Sequence, residues 1–165
     1  MYTRIVQDNV ITELRKKTKN ELGTYFKNAD YPKAGDIVGP TYGVTLAGIS
    51  LLKYYCIRSI ITHPRYIPWK GKVFNSGFEG MDRIELGRLK GRLANFETTE
   101  ADCLTGNGRV LKIDYQLTRN PWFLRIFRDD LKKVNDSIFI GRAYVRFFGR
   151  FRFALYFLLI CEQTY

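Results

Sequence analysis

The sequence is poor in the residues that hold metals or form disulfides. It has one histidine, His63, and three cysteines, Cys56, Cys103 and Cys161, with no CxxC pair. Structural zinc sites take four ligands, and an odd, widely spaced set of thiols is typical of a reducing compartment. We therefore expect no zinc and no cofactor. Axial ligation of haem is the metal role open to His63, and the alternative is a histidine that interacts with a helix C-terminus.

Catalytic and targeting motifs are scarce as well. A Ser–His or Cys–His relay would have to use the single histidine, and neither GxSxG nor a phosphate-binding loop occurs. The first residues, MYTRIVQD, lack the apolar core of a signal peptide. Residues 42–62 are mostly apolar, but Lys53 and Arg58 each cost ~2.5–3.5 kcal/mol at the centre of a membrane-spanning helix. These patterns predict a cytoplasmic protein, with peripheral membrane association as an alternative.

Acidic residues are outnumbered by basic ones, 16 Asp and Glu against 27 Lys and Arg, for a net charge of +11. Such an excess favours an anionic partner: an anionic small molecule, an acidic membrane surface or nucleic acid. Outside residues 15–19 the positive charge is diffuse, which argues against nucleic acid. A basic peripheral protein that binds acidic membrane or nucleic acid stays open as one function.

Two halves of different character follow one another along the chain. Residues 3–26 have helical spacing of apolar side chains, and residues 45–61 predict a second helix that would cover a barrel or mediate a homodimer. From Trp69 onward the apolar runs shorten and glycine recurs, as in antiparallel strands joined by tight turns. We expect an N-terminal helical segment over 1–65, packed on a mainly β domain over 66–165.

One helix is predicted within the β region. Asn120 is a good N-cap, Pro121 suits the first helical position, and Phe123, Phe127 and Leu131 recur every four residues. The fold class is therefore α+β and mainly β: an antiparallel barrel or strongly curved sheet with N-terminal helices and one inserted helix.

Residues 137–160 predict two strands joined at Phe148 and Gly149. Because side chains alternate along a strand, one face of this hairpin collects arginine and tyrosine, and the other collects phenylalanine, leucine and valine. The polar face holds Arg142, Tyr144, Arg146, Arg152 and Tyr156. Inside a barrel these side chains would form an anion site, and on the outside they would be solvated.

Several stretches resemble a known family. Residues 68–74 (PWKGKVF), 110–121, 128–145 and 154–159 are similar to strands of lipocalin-like, calycin-type barrels, the GXWXG group among them. The resemblance covers about residues 66–160. It implies a β-barrel with an internal cavity, and it implies no reaction.

The first functional hypothesis is non-covalent binding of a hydrophobic, anionic small molecule such as a fatty acid or lipid in the barrel. A carboxylate would be held by charge-assisted hydrogen bonds from Arg142, Tyr144, Arg146, Arg152 and Tyr156, with Trp69 closing the barrel bottom. The alternative is a cofactor-free cyclase or isomerase that acts on a lipid or polyketide. That enzyme would use Asp114 with Tyr144 or Tyr115 as acid and base, unless Asp114 belongs to a surface Asp–Lys face with Lys112.

Overall fold

The computed structural model describes residues 2–48, 69–76, 78–86, 89–106 and 108–162. Eight antiparallel strands pair in sequence order and close into a barrel, with β8 returning to β1. The strands are β1 (Gly39–Gly48), β2 (Trp69–Phe74), β3 (Glu79–Leu86), β4 (Leu89–Asp102), β5 (Arg109–Asp114), β6 (Phe127–Lys133), β7 (Ile138–Phe147) and β8 (Arg150–Cys161). The predicted mainly β barrel is confirmed.

The barrel has two different ends. At one end β1 begins, and Ala34 and Ile37 from the preceding chain are buried in the same core as Phe74 and Phe139. We call this the plugged end. The opposite end, here called the Trp122 end, carries the connection 115–126 and the β7–β8 turn.

Two helices precede the barrel, α1 (Tyr2–Lys16) and α2 (Lys19–Asn28). Thr18 separates them as the N-cap of α2, where its side chain and that of Glu21 form a reciprocal capping box. The helices lie on the outside of the β1–β8–β7 wall, with Leu14, Leu22 and Phe26 buried. No helix in the described part of the chain has the length and apolarity to cross a membrane.

The β7–β8 wall is buried on both faces. Odd-numbered Phe139 and even-numbered Ile140 on β7 are both fully buried, yet they belong to two separate cores. One core draws on strands all around the ring and lies inside the barrel. The other lies between the outer face of the wall and the two helices.

The predicted inserted helix does not form. Residues 122–126 make turns, and β6 then pairs with β5 on one side and β7 on the other. The spacing of Phe127 and Leu131 misled the prediction, because a separation of four also fits the two-residue period of a strand. Asp129 falls between them on the same inner face, while Arg128 and Asp130 pair on the outer face at 2.9 Å.

The N-terminal boundary also differs from the prediction. Residues 45–48 belong to strand β1, which pairs with both β2 and β8, so the barrel begins at Gly39 rather than near residue 66. The rest of the predicted 45–61 helix, the dimer hypothesis attached to it, and His63 lie outside the described residues.

Candidate functional site

A lysine and two aspartates meet inside the barrel. Lys72 on β2, Asp82 on β3 and Asp129 on β6 all point inward. The ammonium group of Lys72 lies 2.7 Å from an oxygen of Asp82 and 3.0 Å from an oxygen of Asp129. Tyr115, which follows β5, lies between the two carboxylates: its hydroxyl oxygen is 3.0 Å from Asp82 and 3.2 Å from Asp129. Lys72 also donates to this hydroxyl. We call these four residues the inner charge cluster.

Aromatic rings enclose the cluster. The Lys72 ammonium lies between 5.0 and 5.7 Å from four ring centroids, those of Trp69, Phe96, Tyr115 and Phe157. The indole N–H of Trp69 donates to Asp82 at 3.3 Å. The negative faces of aromatic rings attract a desolvated cation, so this shell helps to hold the lysine in the interior.

Two glycines let β1 and β2 bring Trp69 and Lys72 into place. Gly71 has φ +129° at a register shift of β2, and a Cβ there would lie 2.1 Å from the carbonyl oxygen of Thr41. At Gly43 a Cβ would lie 2.4 Å from the indole of Trp69. The Thr41 hydroxyl accepts from the Lys72 backbone N–H at 3.0 Å and donates to the Lys72 carbonyl at 2.9 Å, which replaces ladder bonds at the irregularity.

Burial and charge act together on the titration of the cluster. Burial by itself would lower the pKa of Lys72, but Asp129 and Asp82 outweigh it and the pKa is raised. Burial raises the pKa of Asp129, and the charge of Lys72 offsets only part of that rise. Burial and both carboxylates raise the pKa of Tyr115 well above its ordinary value. At neutral pH the site therefore offers an ammonium and a neutral phenol beside two aspartate side chains.

These shifts predict that the protein loses stability in alkali. The pKa values of Lys72 and Tyr115 are raised in the folded state from ordinary values of 10.5 and 10.0. The unfolded chain therefore loses these protons first, and the free energy of unfolding falls as pH rises above about 10. Chemical unfolding at a series of pH values should show this decline. In Tyr115→Phe the free energy of unfolding should fall less steeply with pH. An equally steep decline in that variant would show that the Tyr115 phenol does not contribute to the loss of stability.

The cluster lies in the half of the barrel nearer the Trp122 end. At that end Trp69 begins β2, Phe127 begins β6, and Tyr115 directly follows the last residue of β5. The Lys72 side chain is 3% exposed, whereas that of Asp82 is 15% exposed. Trp69 is half-buried. Solvent therefore reaches one carboxylate and one aromatic wall of the site.

The arginine and tyrosine face predicted from the hairpin lies, apart from Arg152, on the outer side of the wall. Arg142 and Tyr156 share it with Ile140 and Leu158 of the outer core. Arg142 is buried beneath α2, with its guanidinium carbon 4.7 Å from the Phe26 ring centroid, and it donates to the Tyr156 hydroxyl and to Thr105. Tyr144 lies on this face too and is buried.

The remaining arginines of the hairpin lie towards the Trp122 end, and a bulge in β8 separates them. The register shifts between Ala143 and Tyr144, so that Tyr144 is paired with Phe153 and Val145 with Arg152. The predicted common face is therefore wrong for Arg152, because one extra residue in β8 turns it to the side opposite Tyr144.

Arg146 is half-buried near the ring of Phe151, and Arg152 is exposed. The structure thus brings Arg142 and Tyr156 together outside the barrel, and it leaves Arg152 exposed to solvent. Trp69 is the one predicted ligand residue that reaches the interior.

The catalytic candidates separate in the same way. Asp114 pairs with Lys112 at 3.1 Å on the outer face of β5, which is the surface Asp–Lys arrangement. Tyr115, the next residue, turns into the inner charge cluster. Sequence reasoning missed Lys72, Asp82 and Asp129, although Lys72 stands within the tryptophan motif at 68–74 and Asp129 is in register with Phe127 and Leu131. Among the described residues, no three His, Cys, Asp or Glu side chains are grouped so as to hold a metal ion.

Fold and site define a closed, eight-stranded antiparallel β-barrel with a buried ionic cluster. No family model matches the chain, and no curated protein matches it. A crystal structure of a protein from Thermomonospora curvata is similar, with a TM-score of 0.62 and 16% sequence identity over 99% of this chain and 100% of that chain. At this identity the likeness supports the barrel fold alone and does not extend to the lipocalin-like family.

Proposed function

We propose that the barrel binds a small, mostly apolar molecule at its Trp122 end, with one polar group of that molecule bound by the inner charge cluster. The observation that carries the proposal is a lysine and two aspartates buried among aromatic rings on the inner face. Burying ions costs several kcal/mol each, and a well-packed apolar set of similar volume is often at least as stable. The cluster therefore has little value as a stabilising device, whereas a few polar groups that converge among apolar and aromatic side chains are typical of ligand sites.

The charges of the cluster favour a hydroxyl or carbonyl over a carboxylate. Of the arginines that would attract an acid, Arg142 lies beneath α2 outside the barrel and Arg152 is exposed to solvent, and the lysine inside already faces two aspartates. A carboxylate beside Asp82 and Asp129 would meet like charge, whereas an alcohol can donate to a carboxylate and a carbonyl can accept from Lys72. We therefore expect a neutral, hydrogen-bonding ligand in place of the anionic ligand expected from the sequence.

A matched series of dodecyl compounds tests this proposal. In a Trp122→Phe variant, Trp69 is the single tryptophan of the chain, so its emission reports on the barrel interior. Dodecanol is expected to change that emission and to bind about tenfold more tightly than dodecanoate, since one lost charge–charge or charged hydrogen-bond contact is worth ~1.5–3 kcal/mol.

The control uses the ion pair on the outer face. Asp82→Asn, in the same Trp122→Phe background, should weaken the binding of dodecanol by about tenfold. Asp114→Asn alters the pair with Lys112 on the outer face and should leave dodecanol binding unchanged. Unfolding curves check that both variants fold. The proposal fails if no dodecyl compound changes Trp69 emission up to its solubility limit, or if Asp114→Asn is as harmful as Asp82→Asn.

A second candidate is proton transfer on a bound carbonyl compound, favoured by the position of the Tyr115 hydroxyl between two carboxylates. The raised pKa of Asp129 suits a general base or acid nearer neutrality than an ordinary aspartate. 2-Dodecanone in D₂O distinguishes it from binding alone: a carboxylate removes an α-hydrogen and solvent returns deuterium to the enolate. Exchange that wild type accelerates and Asp129→Asn abolishes supports catalysis, and binding without exchange excludes it for this ketone.

A further inference from the structure

The Trp122 end presents large aromatic side chains to solvent. Trp122 is 78% exposed and Phe123 is 51% exposed in the connection before β6, and Phe147 and Phe148 at the β7–β8 turn are 50% and 93% exposed. Each pair is arranged edge to face, with centroid separations of 5.9 Å for the first and 4.8 Å for the second. Exposed aromatic clusters of this kind mark interaction sites.

The two pairs belong to neighbouring connections. Phe127 is paired with Val145, and the ladder continues to an Arg146 N–H that donates to the Ile126 carbonyl at 2.8 Å. The residues just before β6 therefore run beside the end of β7. We call Trp122, Phe123, Phe147 and Phe148 the aromatic rim.

The conformation of the turn sets Phe148 outward. Phe148 and Gly149 both have positive φ, +47° and +75°. Asparagine, aspartate and glycine are the usual residues in a two-residue turn of this kind, because a bulky side chain is disfavoured at positive φ. Phe148 therefore has a strained backbone and an almost fully exposed side chain, so it stabilises neither the turn nor the core. Features of that kind point to a role at the surface.

The two segments that carry the rim have charged residues of one sign only. Neither residues 115–127 nor residues 137–161 contain an aspartate or a glutamate. They contribute Arg119, Arg125, Arg142, Arg146, Arg150 and Arg152. Arg142 is buried beneath α2, and Arg119 lies near two glutamates. Arg150 and Arg152, in contrast, are exposed beside the Phe148 turn. The exposed aromatic side chains of the rim are thus flanked by exposed arginines at the Phe148 turn.

We propose that the aromatic rim docks the Trp122 end of the barrel on an anionic lipid bilayer. Tryptophan and phenylalanine partition into the headgroup region, and arginines just behind them attract lipid phosphates. A bilayer fits better than a protein partner because the aromatics stand on two turns rather than in a groove, and because the exposed charges beside the Phe148 turn, Arg150 and Arg152, are positive. In this orientation the end of the barrel nearer the inner charge cluster faces the membrane.

Co-sedimentation of the full chain with lipid vesicles tests the docking. Binding is expected to vesicles of equal parts phosphatidylcholine and phosphatidylglycerol, and to be much weaker to phosphatidylcholine alone. Trp122→Ser/Phe148→Ser should reduce binding by about tenfold through loss of inserted apolar surface. Arg150→Gln/Arg152→Gln should reduce it by a similar factor, about tenfold, and weaken its dependence on salt.

The plugged end supplies a matched control. Phe78→Ser/Leu104→Ser removes two exposed apolar side chains, 64% and 41% exposed, from turns at that end and should leave vesicle binding unchanged. Equal loss in this control, or equal binding to both vesicle types, would overturn the proposal. It is also overturned if the rim variant changes only the oligomeric state in size-exclusion chromatography, because the rim is then a protein interface.

Docking and ligand binding are tested separately. The Arg150→Gln/Arg152→Gln variant keeps Trp69 and the inner charge cluster, so in the Trp122→Phe background it should respond to dodecanol as the parent does. Loss of vesicle binding with an intact dodecanol response supports docking by the rim. Vesicle binding that persists undiminished in both rim variants assigns membrane affinity to the diffuse positive charge and contradicts the proposal.

Discussion

Replacing Lys72 with methionine is expected to destabilise the folded protein by about 3–5 kcal/mol, the usual cost of removing one partner from a buried ion pair. Lys72 donates to Asp82 and contacts Asp129 from a position that is almost fully buried. Without it, two carboxylates share an apolar interior and repel each other. Urea unfolding followed by circular dichroism gives the free energy of unfolding that measures this cost.

Removing the acids together with the lysine should restore most of the loss. In Lys72→Met/Asp82→Asn/Asp129→Asn no charge is left inside the barrel, and the amides can still accept from Trp69 and Tyr115. Lys112→Met provides the matched outer control: its pair with Asp114 is partly solvated, so the cost should stay below about 1 kcal/mol. Equal costs for Lys72→Met and Lys112→Met would show that the inner charge cluster does not depend on its cation.

Much of the barrel could be predicted from local patterns. The β7–β8 hairpin follows directly from alternating side chains around Phe148 and Gly149, and the N-terminal helical spacing corresponds to α1 and α2. The region at 120–133 could not be assigned so simply, because an N-cap signal and a four-residue spacing favoured a helix. Pairing with β5 and β7 decides in favour of a strand, and such pairing is not visible within a local window.

The orientation of a strand face is also beyond local pattern. Alternation correctly groups Arg142, Tyr144 and Arg146 on one face, but it does not tell which face is inside. The usual rule that the apolar face points inward does not decide the orientation of β7, because both of its faces are buried. On the outer face α2 covers the strand and buries Arg142 against Phe26. The ionic side chains that do point inward come from three strands far apart in sequence. Only closure of the barrel brings Lys72, Asp82 and Asp129 together.

Phe26→Ala is expected to destabilise the protein by about 3–5 kcal/mol, the range for deleting a fully buried phenylalanine side chain. Phe26 anchors α2 to the barrel wall: its ring centroid lies 6.2 Å from that of Tyr156 and 4.7 Å from the guanidinium carbon of Arg142. Alanine would leave a cavity and remove the ring that faces a buried cation. Chemical unfolding should show the loss, and amide hydrogen exchange should show reduced protection across Lys19–Asn28.

The neighbouring aromatic gives the comparison. Tyr25→Ala deletes a half-buried ring from the same helix turn and should cost clearly less than Phe26→Ala. A double-mutant cycle with Arg142→Met isolates the ring–guanidinium contact, which should contribute about 1–2 kcal/mol where both groups are desolvated. A coupling near zero would mean that Arg142 is held by its polar contacts, among them Tyr156 and Thr105, without help from the Phe26 ring. In that case the cost of Phe26→Ala would reflect the cavity, and α2 would dock by shape rather than by its contact with the buried cation.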